Sequence, residues 1–351
     1  MAMRLQARGA GIIALAAGIV VGGGVLAAAS VARPAGHATG GHAALSRTGA
    51  IAASRAAATA ASRTGTATPS RAGITASPAV TAAALLSPAA TVREGICTAP
   101  VAYKALAAKL SAGIQGALKG REGDHAVTVY DRVTGVDCLF NSGRHFDSAS
   151  VVKTIILAAL LRWHQETGTP LSATEQYEAT LMITQSDNDA ATYLWDEVGM
   201  ARLQHFLNLA KMSETELGQD GYWGLTQITA HDEMLLLRLL TAPNTVLSSS
   251  SRSYELGLMA KVISSQRWGT PAGAPSYVTV HVKNGWLPDD TGWHINSTGA
   301  FTGNGRNYMM VVLTDDNPTE DYGIDTIQAV ARLVHRDINA AQPKPKKTTA
   351  G

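Results

Sequence analysis

A serine and a lysine three residues apart, Ser150 and Lys153, head an apolar run from Val151 to Leu161. On a helix they would share one face, one turn apart. A free hydroxyl is a weak nucleophile until a neighbouring group takes its proton. A buried lysine, with its pKa depressed by loss of water, can act as that base. The same four letters could instead mark a plain helix start, with Ser150 as cap and Lys153 in solvent. The surrounding residues argue against that. Val151, Val152, Ile155, Ile156, Leu157, Leu160 and Leu161 cover nearly the whole circumference, so the helix should be buried and Lys153 with it.

Two further elements follow in order. Ser186-Asp187-Asn188 is the one S-D-N in the chain, and Lys283-Asn284-Gly285 is the one K-x-G, at the end of the strand-like run Tyr277–Val282. S-x-x-K, S-D-N and K-[TS]-G in this order form the signature of the penicillin-recognising serine acyl-transferases. The chain therefore resembles the class A β-lactamase and penicillin-binding protein superfamily, closest to the class A branch, from about Thr98 to Asn339. The resemblance implies a mixed α/β (α+β) fold: a mostly antiparallel sheet flanked by N- and C-terminal helices, beside an all-helical lobe, with the active site in the groove between them. It implies roles as well. Ser150 would attack an amide or lactam carbonyl, with Lys153 as base or part of the proton path. Ser186 would carry a proton to the leaving nitrogen, and Asn188 would hold the substrate's amide side chain. Lys283, Asn284 and Gly285 would face the substrate carboxylate, and the backbone N–H groups of Ser150 and Trp286 would form the oxyanion hole. Asp187 would hold its loop.

Three features depart from the family pattern. Asn284 stands where a hydroxyl residue is usual. Ser150 and Ser186 lie closer together than in a class A enzyme, so the helical lobe should be trimmed. The E-x-x-L-N element, whose glutamate activates the deacylating water, has Glu214-Thr-Glu-Leu217-Gly218 as its nearest match, with glycine in place of asparagine. Glu214 is thus either the deacylating base or a solvated loop acid, and Glu216 and Asp220 read as plain loop residues. The expected function is a secreted serine hydrolase forming an acyl-enzyme with β-lactams or related amides and esters, with slow hydrolysis. A D,D-peptidase-like enzyme acting on peptidoglycan peptides and a non-catalytic envelope protein are the alternatives.

The ends of the chain are of a different character. Arg4 and Arg8 precede an uncharged apolar stretch, Gly9–Ala32, with small residues at its end. It reads as a signal peptide or an uncleaved anchor, which would put the domain outside the cytoplasm and limit membrane contact to that segment. Residues 33–95, rich in Ala, Thr, Ser and Gly, read as a disordered tether, and 342–351 as a basic tail. Cys97 and Cys138, the only two cysteines, are expected to pair in an oxidising compartment. A net charge of +2 suggests no nucleic-acid partner. The 10 histidines contain no H-E-x-x-H or other metal spacing, and no cofactor is expected. A monomer acting on a small molecule is the simplest assembly.

The elements that must position the motifs are legible as patterns. Ala102–Lys119 has helical spacing, with Leu106, Leu110, Ile114 and Leu118 in one stripe. Residues 125–131 and 136–140 read as a hairpin around Val133-Thr-Gly135. Residues 278–282, 293–301 and 308–313 read as three strands, and 324–338 as a closing amphipathic helix. The stretch between, about 151–260, should be helical, with S-D-N leading into a helix over 189–198.

Overall fold

The computed structural model describes residues 90–343. The expected export segment, most of the expected tether and the last residues of the tail lie outside them. In chain order the elements are β1 (Thr91–Glu94), β2 (Cys97–Pro100), α1 (Lys104–Leu118), β3 (Asp124–Asp131), β4 (Val136–Phe140), β5 (His145–Asp147), α2 (Val152–Thr167), α3 (Ala173–Thr184), α4 (Asn188–Ala210), β6 (Gln227–Thr229), α5 (Ala230–Thr241), α6 (Ser249–Met259), β7 (Thr279–Pro288), β8 (Trp293–Gly303), β9 (Arg306–Asn317) and α7 (Glu320–Ala341). Seven strands form one antiparallel sheet in the order β1-β2-β4-β3-β9-β8-β7. The first and last parts of the chain thus build the sheet, and the middle builds a lobe, α2–α6, with the two-stranded β5–β6 piece beside it.

The period-2 side-chain alternation of a strand sorts β9 into two cores. Tyr308, Met310 and Val312 pack with α1 and α7 on one face, and Met309, Val311 and Leu313 pack with the helical lobe on the other. Strand β9 is therefore apolar on both sides, unlike a half-exposed strand. Helix α7 closes the outer layer, with Ile327, Val330, Ala331, Val334 and Ile338 buried. The Thr319 hydroxyl accepts from Tyr322 N–H at 3.1 Å to cap it. Helix α3 opens on a reciprocal capping box between Ser172 and Glu175.

Three boundaries differ from the sequence expectation. The tether does not run to residue 95, because Thr91–Glu94 pairs with β2 and extends the sheet. A four-residue strand with no apolar run leaves little pattern to read. At the other end, Gln342 belongs to the domain rather than the tail: it is buried and its amide donates to Asp131 Oδ2 at 2.6 Å. The helix after S-D-N continues to Ala210 through a break at Gly199, whose φ of 73° is open to glycine at low cost.

Cys97 and Cys138 are bonded, and they face each other in register across β2 and β4. The bond closes a sequence separation of 41 residues and ties the start of the domain to the sheet. Replacing both cysteines with serine should lower stability by about 2–4 kcal/mol. Urea unfolding of the full chain would measure this; an unchanged midpoint would mean that sheet pairing alone holds the segment.

Candidate active site

Ser150 sits in a 3₁₀ turn, Ala149–Val151, that leads directly into α2. Ala149 before it has φ of 45°, a left-handed conformation that costs a residue with a Cβ on the order of 1 kcal/mol. Such strain persists only where the surroundings hold it, and here they do. Ser148 N–H donates to Thr226 O at 2.9 Å, and Asn296 Nδ2 donates to Asp147 O at 2.8 Å. Strand β7, the free edge of the sheet, runs against this turn at Gly285. A Cβ on Gly285 would lie 2.7 Å from Ser148 O and 2.8 Å from Ser150 N. The glycine of K-x-G is therefore a steric requirement, and it brings the strand segment bearing Trp286 beside the Ser150 amide.

Lys153 is fully buried, which excludes the solvated helix-start reading. Its Nζ donates to Ser186 O at 2.7 Å, to Ser186 Oγ at 3.3 Å and to Asn188 Oδ1 at 2.8 Å. Lys283, also fully buried, donates to Ser186 Oγ at 2.9 Å and to Asn284 O at 2.8 Å. The Ser186 hydroxyl thus lies between two lysine amines. The S-D-N turn that presents it is fixed locally: Ser186 has φ of 59°, and the Asp187 carboxylate caps α4 by accepting from Ala190 N–H at 2.9 Å. Burial pulls the Lys153 pKa down to about 7, against the opposing pull of Asp187. Burial first, and then the charge of Lys153, pushes Lys283 well below its ordinary value. A lysine of pKa near 7 is a competent base at neutral pH.

Ser150 and Asn188 open onto a cleft of about 380 Å³ whose walls include Tyr222, Trp223, Leu225, Trp286 and Leu287. Trp223 is anchored by its Nε1–H donating to Thr192 Oγ1 at 3.1 Å, and its ring centre lies 4.7 Å from Lys153 Nζ. Trp286 meets Trp268 edge to face at 5.8 Å. Among the described residues, no carboxylate lines the cleft.

Two expected site residues are elsewhere. Glu214 is not brought to Ser150. Its Oε2 accepts from Thr229 Oγ1 at 3.0 Å and lies 3.5 Å from His231 Nδ1. The reason is register: Glu216 bridges Gln227, which pairs with Asp147, so Glu214 lies at the His145–Thr229 end of β5–β6. Ser150 follows the opposite end. Gly218 cannot stand in for asparagine either, because a Cβ there would lie 2.1 Å from Tyr222 O. Asn284 does not face a substrate: both amide protons are used, on Gln266 O at 2.9 Å and Trp268 O at 3.0 Å, pinning that loop to β7. Tyr222 and Trp223 escaped the sequence reading. An aromatic pair between glycines, Gly221-Tyr-Trp-Gly224, in a polar loop was the available signal.

The fold has counterparts among known proteins. The model of the "Beta-lactamase enzyme family" matches residues 169–338, beginning after Ser150 and Lys153. A class A β-lactamase of Bacteroides cellulosilyticus superposes with a TM-score of 0.59 at 17% identity, over 66% of this chain and 98% of that one. A β-lactamase of Sphaerobacter thermophilus gives 0.57 at 19%, over 67% and 99%. A mutant of the penicillin-binding protein PBP-A, solved as an acyl-enzyme complex with penicillin G, gives 0.57 at 20%, over 66% and 97%. No curated protein matches. Residues 169–338 thus match the β-lactamase enzyme family, and the described part of the chain has the fold of the class A β-lactamases and PBP-A.

Lys153 must lose its proton before it can accept one. Acylation of Ser150 should therefore rise as pH passes through about 7 and level off above it. Lys153→Met should cut the plateau by at least ~10²-fold. Intact-mass kinetics with a penicillin would measure both; a flat pH profile, or full-rate acylation in the variant, would remove Lys153 from the role of base.

Proposed function

We propose that this chain is an exported serine enzyme that acylates itself at Ser150 with β-lactams or related amides and esters and releases the acyl group slowly. The observation that carries this reading is the Ser186 hydroxyl held between Lys153 and Lys283, with Lys153 also donating to Asn188, which lines the same cleft as Ser150. Ser150 Oγ attacks the carbonyl carbon and passes its proton to Lys153. The amide nitrogen leaves as the C–N bond breaks, and Ser186 delivers its hydroxyl proton to it while taking up the proton that Lys153 received, with Lys283 holding the hydroxyl. The oxyanion is met by the Ser150 N–H, at the head of α2, and by the Trp286 backbone. Asn188, whose Oδ1 is taken by Lys153, has its Nδ2 left to hold the acyl-side amide.

Deacylation needs a water and a base in set geometry. Glu214 is occupied elsewhere, and Tyr222, Trp223 and Leu225 form the wall, so water has no carboxylate to activate it. The same wall supports a second reading, a D,D-peptidase-like enzyme acting on peptidoglycan peptides, for which β-lactam acylation is incidental. Export is supported by the Arg4–Ala32 pattern and by the Cys97–Cys138 bond.

The test is a labelled penicillin followed by intact mass, with Ser150→Ala as control. The expected result is stoichiometric label on the native chain, none on the variant, and loss of label far slower than ~10 s⁻¹, the median enzyme turnover. Turnover at or above that rate would refute slow release. Absence of label from both proteins, with no hydrolysis of D-Ala esters, would favour a non-catalytic envelope protein. In metal-free protein, Glu214→Gln should leave label loss unchanged.

A further inference from the structure

At the start of α5, away from the cleft, three metal-type ligands converge. Glu214 Oε2 lies 3.5 Å from His231 Nδ1, and His231 Nδ1 lies 3.2 Å from Asp232 Oδ1. All three donor atoms fall within 4.8 Å of one another. A tetrahedral cation bound to nitrogen and oxygen at about 2.0–2.2 Å needs donors about 3.3–3.6 Å apart, which the two spacings from His231 Nδ1 approach.

The set is held from outside. Asp232 is fully buried, and its Oδ2 is taken by Glu214 N–H at 2.8 Å and Thr215 Oγ1 at 2.9 Å. That leaves Oδ1 facing His231. The Thr229 hydroxyl fixes the Glu214 carboxylate, and His145 Nε2 lies 2.8 Å from the Glu214 carbonyl oxygen. Hydrogen bonds of this kind orient ligands in metal sites.

The local charge points the same way. Among the described residues no lysine or arginine pairs with Glu214 or Asp232. The partial positive charge at the α5 N-terminus opposes a cation, but it is small against two full negative charges.

We propose that Glu214, His231 and Asp232 bind one divalent cation of the zinc type, with water as the fourth ligand, clamping the loop 211–226 onto α5. An imidazole with carboxylates favours zinc-type ions over calcium or magnesium, which take all-oxygen sites. The loop so clamped carries Tyr222, Trp223 and Leu225, so the cation braces a wall of the cleft from outside it. The site stands independently of the proposed reaction.

The test is calorimetry and thermal unfolding of the metal-stripped full chain with zinc chloride, and with calcium and magnesium chloride for comparison. The expected result is one zinc per chain and a raised Tm. His231→Ala and Glu214→Gln, both half-exposed side chains, should each weaken binding by at least ~10-fold and abolish the Tm rise. His205→Ala, a surface histidine elsewhere, should change neither. Absence of zinc binding would overturn the proposal. So would zinc bound equally well by all variants, which marks an adventitious ion only, and so would preferential binding of calcium or magnesium.

Discussion

One hydroxyl shared by two buried amines is the constraint on which the rest of the site depends. Ser186 Oγ receives hydrogen bonds from both Lys153 and Lys283, and neither lysine has access to water. Burying two ammonium groups in contact with one oxygen is expensive unless at least one is neutral. The arrangement lowers both pKa values by burial, and Lys283 further by the charge of Lys153. The same energetic penalty that makes the cluster costly thus makes a lysine usable as a base near neutrality. The partners Ser186 O, Asn188 Oδ1 and Asn284 O absorb the donors that would otherwise be stranded.

The cluster draws on three distant pieces of chain, and each must arrive at one point. Helix α2 supplies Lys153, the capped turn before α4 supplies Ser186, and the edge strand β7 supplies Lys283. The tightest tolerance lies between β7 and the 3₁₀ turn, where Gly285 leaves no room for a side chain. That contact in turn requires Ala149 to be left-handed and Asn296 to hold the backbone of Asp147. The long β7–β8–β9 ladder fixes the position of the strand, and the two-sided core of β9 fixes the ladder. Strain at the Ala149–Ser150 turn is therefore held by the most extensively paired part of the sheet.

What could be read from the sequence follows from the range of the physics involved. Ser150 and Lys153 are one helical turn apart, so their spacing alone implies a shared face. Asp187 is a helix cap, a local role that its residue type announces. The β9 and α7 patterns repeat over many residues. Glu214 failed for the opposite reason: its place is set by the bridge of Glu216 to Gln227, a pairing that no short motif encodes. Asn284 was misread because alternation along β7 gives its face only once the neighbouring loop at Gln266–Trp268 is known. Strand β1 is too short and too exposed to carry a periodic signal.

The loop between α4 and β6 decides how an acyl group would leave, and its sequence is shaped by turns rather than by chemistry. Gly218 is forced by the carbonyl of Tyr222, and its N–H donates to Thr226 Oγ1. That turn swings Tyr222 and Trp223 to the cleft, where Trp223 bridges Thr192 and the amine of Lys153. An indole over an amine that titrates near 7 favours the charged form through its face, while excluding solvent favours the neutral form. Burial dominates at Lys153, so the net contribution of Trp223 is to keep water from the base. In the proposed reading, the residue that covers the lysine for acylation also bars the water needed for release. Slow turnover then follows from the shape of this loop as much as from the missing carboxylate.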